Sequence, residues 1–133
     1  MKDLKLHGFW FEPELGSPAF YWNETEGLVE IGWLEDDQIA MAYDISDDGN
    51  TIVGHSGTVF TGFDAFIWTR DRGMESLRDR LIELGAPGLD GVILGNGLAM
   101  TGDGLTITGY AITLDENDIP IQRGFVATLP APE

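Results

Sequence analysis

One short segment carries oxygen-bearing side chains at the spacing of a calcium-binding loop. In Asp44-x-Ser46-x-Asp48-Gly49 the oxygens stand at alternate positions and a glycine follows, as in the first half of an EF-hand loop. The twelfth position, which would hold a bidentate glutamate, is His55, and a second copy, Ala99-x-Thr101-x-Asp103-Gly104, lacks the first ligand. The pattern therefore favours a turn without a cofactor, and calcium held by Asp44, Ser46 and Asp48 is the alternative.

Aromatic residues recur along the chain and could stack on sugars, because a flat ring packs against the apolar face of a pyranose. The candidates for such a platform are Trp22, Trp68 and Trp10, and the wider aromatic set adds Tyr21 and Trp33. Aromatic residues at matched positions of a repeat more often form the core. Core packing is therefore the first expectation, and a lectin-like, carbohydrate-binding role is the alternative.

Several carboxylates could supply the acid pair that glycoside hydrolysis needs. They are Glu24, Glu26, Asp36, Asp37 and Asp44, and nothing in their spacing singles out a pair. The two histidines, His7 and His55, have no serine or cysteine elbow beside them, so a catalytic triad is expected even less than a carboxylate pair. We expect a non-enzymatic protein, and a hydrolase using surface carboxylates is a further alternative.

The charge of the chain is strongly acidic and unevenly distributed. Its 133 residues carry a formal net charge of -16, which speaks against nucleic acid and anionic membranes as partners. Residues 1–50 hold 12 acidic residues against two lysines, whereas four of the seven basic residues lie between Arg70 and Arg80. The acidic surface favours solubility, and an arginine cluster meeting an acidic face of a neighbouring copy is the alternative.

Length and hydropathy predict a single domain, residues 1–133, that does not span a membrane. No apolar run approaches the roughly 18 residues of a membrane span, and the first residues do not resemble a signal peptide. The absence of cysteine removes disulfides and fits either redox compartment.

The elements that would position these residues are short antiparallel strands. Asp48-Gly49 stands between apolar runs at 39–45 and 51–55, and such a dipeptide supplies the positive φ of a hairpin turn. Asp103-Gly104 repeats the hairpin, with strands predicted at 98–100 and 105–112 and a short strand at 92–94. Further strands are predicted at 4–12, 20–22, 28–34, 63–69 and 124–129.

One segment has helical periodicity. Met74, Leu77, Leu81 and Leu84 recur at helical spacing, followed by Gly85 and Pro87. This pattern predicts a helix over 74–84 that packs its leucines on the sheet.

The repeats predict an all-β fold of four-stranded, propeller-like units. The approximate units are 1–38, 39–97 and 98–129, with the helix inserted into the second. A unit of about 45 residues has the size of a propeller blade, so the chain amounts to about 2.5 to 3 blades. A closed propeller has at least four blades, so the chain is either part of a longer protein or a subunit. Open strand edges then favour a homo-oligomer, most simply a dimer.

The repeated motif resembles a known bacterial repeat. Ser46-x-Asp48-Gly49-x-x-Ile52-Val53-Gly54, followed by Ala65-Phe66-Ile67-Trp68 and Gly73-Met74, is similar to the HAF repeat, named for a His-Ala-Phe tripeptide. The histidine is replaced by Pro18, Asp64 and Arg123 in the three copies. The resemblance covers residues 19–129 and implies a propeller-like module, an extracellular or cell-surface location and no defined activity.

Overall fold

Three antiparallel sheets make up the part of the chain that the computed structural model describes, residues 16–131, and they confirm the all-β prediction. The first sheet contains β1 (Ala19–Asn23) and β2 (Gly27–Gly32); the second contains β3 (Ile39–Ile45), β4 (Thr51–Thr58), β5 (Gly62–Thr69) and β6 (Gly73–Ser76); the third contains β7 (Ile93–Met100), β8 (Thr106–Leu114) and β9 (Pro120–Thr128). Helix α1 (Leu77–Glu83) follows β6. The strand predicted at 4–12, with Trp10 and His7, lies outside the described residues.

Within each sheet the strands are adjacent in chain order, as successive hairpin signals predict. The second sheet has four strands, and the first sheet corresponds to its last two. Trp22 pairs with Leu28 across β1 and β2 in the same way that Trp68 pairs with Met74 across β5 and β6. The sequence repeat is therefore also a repeat of strand register.

A phenylalanine ring covers a glycine of the adjacent strand in both larger sheets. A Cβ on Gly54 would lie 2.9 Å from the Phe66 ring and would overlap the carbonyl oxygen of Met41. A Cβ on Gly109 would likewise lie 2.9 Å from the Phe125 ring and would overlap a carbonyl oxygen, that of Asn96. The strand opposite each glycine has a register shift at that point. The glycine of the repeat is thus required by close packing on both sides.

The second sheet is covered on both faces. Phe66 is fully buried in a cluster that includes Ala19 of the first sheet. Ile67, the next residue, is buried in a separate cluster with Ile107 of the third sheet. Because successive side chains of a strand point to opposite faces, the three sheets are stacked in chain order with the second in the middle.

The helix begins later than the sequence predicts. Residues 74–76 belong to β6, which starts at the positive-φ Gly73. Ser76 then caps α1 by accepting the N–H of Asp79 at 3.2 Å, a bond that serine makes well at this position. Leu77 and Leu81 are buried as predicted, whereas Leu84 is 43% exposed, so the prediction that Leu84 packs on the sheet is wrong.

The third sheet begins before the predicted unit boundary. The short strands expected at 92–94 and 98–100 form one continuous strand, β7, and the boundary placed at 97 falls inside it. Two register shifts in the pairing of β7 with β8 accommodate the glycine-containing sequence within one strand, since bulges absorb extra residues without ending a ladder.

Among residues 16–131 no helix is long and apolar enough to cross a membrane.

The close packing around Gly54 predicts a large effect of one methyl group. Gly54→Ala should lower the free energy of unfolding by about 3 kcal/mol or more, because the new Cβ must displace either backbone or the Phe66 ring. Gly27→Ala is the matched control, since Gly27 has a φ of 74° and open space around it, and should cost only about 1 kcal/mol. Urea denaturation measures both, and equal losses would contradict the packing argument.

The helix offers a second paired test. Leu81→Ala should cost about 2 to 4 kcal/mol because it leaves a cavity in the core. Leu84→Ala, at the C-cap of the same helix, removes a largely exposed side chain and should cost less than about 1 kcal/mol. If thermal unfolding shows the same small loss for both variants, α1 does not pack on the sheets in this way.

Candidate functional site

The first Asp-Gly turn is held together by its own side chains. Asp48 Oδ1 accepts hydrogen bonds from the Ser46 hydroxyl at 2.7 Å and from the Asn50 N–H at 2.9 Å. The Ser46 hydroxyl also accepts the N–H of Thr51 at 3.1 Å. Gly49 has a φ of 74°, which confirms the predicted positive-φ turn, although the connection between β3 and β4 is five residues long.

The second Asp-Gly turn repeats these bonds. Asp103 Oδ1 accepts the Thr101 hydroxyl at 2.6 Å and the N–H of Leu105 at 2.9 Å, and Thr101 accepts the N–H of Thr106 at 3.2 Å. Gly104 has a φ of 75°. Both aspartates are used in the same way, although only the first motif has an aspartate at the position of Asp44.

These bonds also shift the acidity of the turn aspartates. The Asn50 N–H and then the Ser46 hydroxyl lower the pKa of Asp48, and the Thr101 hydroxyl and then the Leu105 N–H lower the pKa of Asp103. Hydrogen bonds to the ionised form favour that form. Both carboxylates are therefore charged across the neutral range.

The oxygens of the candidate calcium loop have protein partners. Asp44 accepts the N–H of Ile45 at 2.8 Å with one oxygen and the N–H of Met100, in the third sheet, at 2.8 Å with the other. Asp44 thus joins two sheets, while Ser46 and Asp48 close the turn. No group of three or more His, Asp or Glu side chains within residues 16–131 is arranged to hold a metal ion.

Trp68 is the buried member of a polar-aromatic contact between the first and second sheets. It is 9% exposed, and its ring centroid lies 5.5 Å from that of Tyr21. The guanidinium of Arg70 lies 5.5 Å from both ring centroids and forms an ion pair with Glu26 at 3.3 Å. Hydrogen bonds from Asn23 and Tyr21 lower the pKa of Glu26, with a smaller contribution from Arg70. Trp68 therefore serves the packing of the sheets.

Trp22 lies on the opposite face of β1 and is 63% exposed. Its neighbour Tyr21 points inward to Trp68, so strand alternation directs Trp22 away from the second sheet. Of the three tryptophans proposed from sequence, the structure thus places one at the surface and one in the core. Trp10 lies outside the described residues.

Three of the five candidate carboxylates serve separate contacts. Glu26 pairs with Arg70, Asp37 accepts the Ser56 hydroxyl at 2.7 Å, and Asp44 joins the second and third sheets. Each therefore has a structural partner. Asp64, which sequence reasoning did not select, has a pKa raised by burial and by the nearby charge of Asp37, because a like charge disfavours ionisation.

His55 lies in an aromatic cluster on the second sheet. Its ring stacks on Phe63 with centroids 4.5 Å apart and meets Tyr43 edge-on at 5.3 Å. Its buried Nδ1 has no hydrogen-bond partner among the described residues, and burial lowers the pKa of the imidazole. This environment favours the neutral ring.

A cleft of about 780 Å³ opens beside the two Asp-Gly turns. Its lining is mixed: Asp48, Asp103, Arg70 and Arg80 supply charge, and Leu105 and Leu129 supply apolar surface. Thr69, whose buried hydroxyl has no hydrogen-bond partner among the described residues, also lines it. Sequence analysis missed this cleft because it arises from the stacking of two sheets rather than from any local motif.

No family model, curated protein or solved structure matches this chain.

The environment of His55 predicts a pH effect on stability. A histidine with a lowered pKa is neutral in the folded chain, whereas the unfolded chain takes up a proton below about pH 6.5. The stability that neutral His55 contributes is thus present above that pH and is lost as the pH falls. Relative to His55→Phe, the wild type should lose up to about 1 kcal/mol between pH 7.5 and 5.5.

Urea denaturation at the two pH values measures this difference. His7→Phe is the control, because it removes the other histidine of the chain. Parallel losses in the wild type and His55→Phe would mean that His55 titrates equally in the folded and unfolded chain.

Proposed function

We propose that this chain is a non-enzymatic, propeller-like β-repeat module of a bacterial extracellular protein, and that it acts by binding through the faces of its sheets. One observation carries the proposal. The polar residues at matched positions of the repeats make hydrogen bonds that close turns. These residues are Ser46 and Asp48 in the first turn and Thr101 and Asp103 in the second. The feature that the repeats share is therefore a sheet whose faces can pack against neighbouring sheets.

The stacking geometry supports the propeller-like part of this proposal. The first and third sheets pack on opposite faces of the second sheet. The residues that the second sheet presents to the first align, in the repeat, with those that the third sheet presents to the second. The four-stranded second sheet also has the strand number of a propeller blade. The bacterial and extracellular parts of the proposal come from the resemblance to the HAF repeat.

Self-association is part of the proposed function. Open strand edges and uncovered sheet faces favour contact with a second copy, and a dimer would bring the number of blades into the range of closed propellers. Repulsion between chains of net charge -16 opposes this contact and is screened by salt.

Light scattering coupled to size exclusion tests this association. At micromolar concentration we expect a dimer at about 0.15 M salt and a larger monomer fraction at about 0.01 M salt, because the Debye length shortens from about 30 to 8 Å. A monomer under both conditions would refute self-association.

Carbohydrate binding is the second candidate, and the exposure of Trp22 favours it. A tryptophan that is 63% exposed on a sheet face offers the flat apolar surface on which a pyranose ring stacks. The fully buried Phe66 and the nearly buried Trp68 offer none.

A glycan array followed by calorimetry tests this candidate. Trp22→Ala should weaken binding of any glycan found by at least about fivefold, since loss of a stacking ring costs about 1 kcal/mol or more. Phe60→Ala is the control, because Phe60 is 91% exposed on the β4–β5 turn. The absence of any bound glycan, or equal weakening by both variants, would rule out a platform at Trp22.

A further inference from the structure

The outer face of the third sheet, defined as the face turned away from the second sheet, is uncovered among the described residues. Ile107 and Ala127 face the second sheet in the shared core. Strand alternation therefore places their neighbours Thr108 and Val126 on the outer face. Val126 is 70% exposed, and Thr108 is also exposed.

The aligned positions of the second sheet are buried. Thr108 pairs with Val126 across β8 and β9 as Val53 pairs with Ile67 across β4 and β5. Val53 and Ile67 are 0% and 1% exposed, because the third sheet and α1 pack on them. The outer face of the third sheet thus occupies the position at which this repeat receives a following sheet.

The composition of the outer face agrees with this role. Alternation along β8 and β9, and the residues of β7 paired with them, place no Asp, Glu, Lys or Arg on it, in a chain of net charge -16. Ile93 and Leu114, which lie on this face by register, are 47% and 57% exposed. An uncharged surface with exposed aliphatic side chains is typical of a protein contact.

The outer face of the first sheet carries aromatic and aliphatic side chains and one charged residue, Glu30, which pairs with Phe20. Tyr21 points to the second sheet, so Phe20 and Trp22 lie on the outer face of β1, and Leu28 lies opposite Trp22 on β2. The aligned residues of the second sheet are Phe66, Trp68 and Met74, and all three pack toward the first sheet. The outer face of the first sheet thus occupies the position at which this repeat receives a preceding sheet.

We infer that the outer face of the third sheet is a docking surface for the outer face of the first sheet of a second copy of this chain. This inference rests on the proposed self-association and names the surfaces that carry it. The contact is heterologous, because it joins two different faces, and two copies form a closed ring if the rotation that relates them closes. The proposed contact between two chains resembles the contact between the second and third sheets of one chain, in which Ile67 and Ile107 belong to the same core cluster.

Two charge-introducing variants test this pairing. Val126→Glu disables the outer face of the third sheet, and Trp22→Glu disables that of the first. Both side chains are mostly exposed in the single chain, so both variants should fold, as circular dichroism and melting temperature will verify. Each variant alone should lose the dimer, with at least a tenfold rise in the dissociation constant. Phe60→Glu, which adds the same charge on a turn, should leave the dimer unchanged.

Mixing the two variants distinguishes a heterologous contact from other modes. The mixture contains one intact pair of faces, so a dimer should reappear at higher concentration, detected by light scattering. A wild-type monomer would overturn both the self-association and this inference. A wild-type dimer that persists in both single variants would overturn the assigned surfaces but not the self-association. The same holds if Trp22→Glu still dimerises while Val126→Glu does not.

Discussion

The contact on which the larger sheets depend is a phenylalanine ring packed over a glycine of the neighbouring strand. Phe66 covers Gly54, and Phe125 covers Gly109. Because neither glycine has room for a Cβ, the ring, the glycine and the bulged strand opposite it must be specified together. The motif recurs in the sequence because one packing arrangement recurs in the structure. The Asp-Gly turn that precedes each glycine sets the strand register, and this register places the glycine under the phenylalanine ring.

The repeated aspartates have a structural explanation that limits their chemistry. Asp48 and Asp103 accept backbone and hydroxyl donors within their own turns, and Asp44 accepts an N–H from each of two sheets. Hydrogen bonds within the turns lower the pKa of Asp48 and of Asp103, whereas a catalytic acid needs a raised pKa and access to substrate. The acidic composition therefore reflects, in part, the way in which this fold closes its hairpins.

Local signals in the sequence predict the strands well and the interactions between sheets poorly. Asp48-Gly49 and Asp103-Gly104 mark their turns locally, because each glycine has a positive φ and each aspartate accepts hydrogen bonds within the turn, so the hairpins could be predicted. The start of α1 could not, because Met74 satisfies both the helical spacing and the pairing with Trp68 in β6. The burial of Trp68, the exposure of Trp22 and the cleft beside the turns all depend on which faces of the sheets stack.

One sequence difference between the repeats nevertheless indicates which sheet is covered on both faces. In the second sheet Ile52 and Val53 are successive buried residues, because both faces are covered. In the third sheet the aligned pair is Ile107, which is buried, and Thr108, which is exposed. A continuous apolar pair is typical of a strand covered on both faces, and alternation is typical of one covered on one face. Threonine tolerates both water and a packed neighbour, so the contact that we propose for the outer face of the third sheet would be reversible rather than permanent.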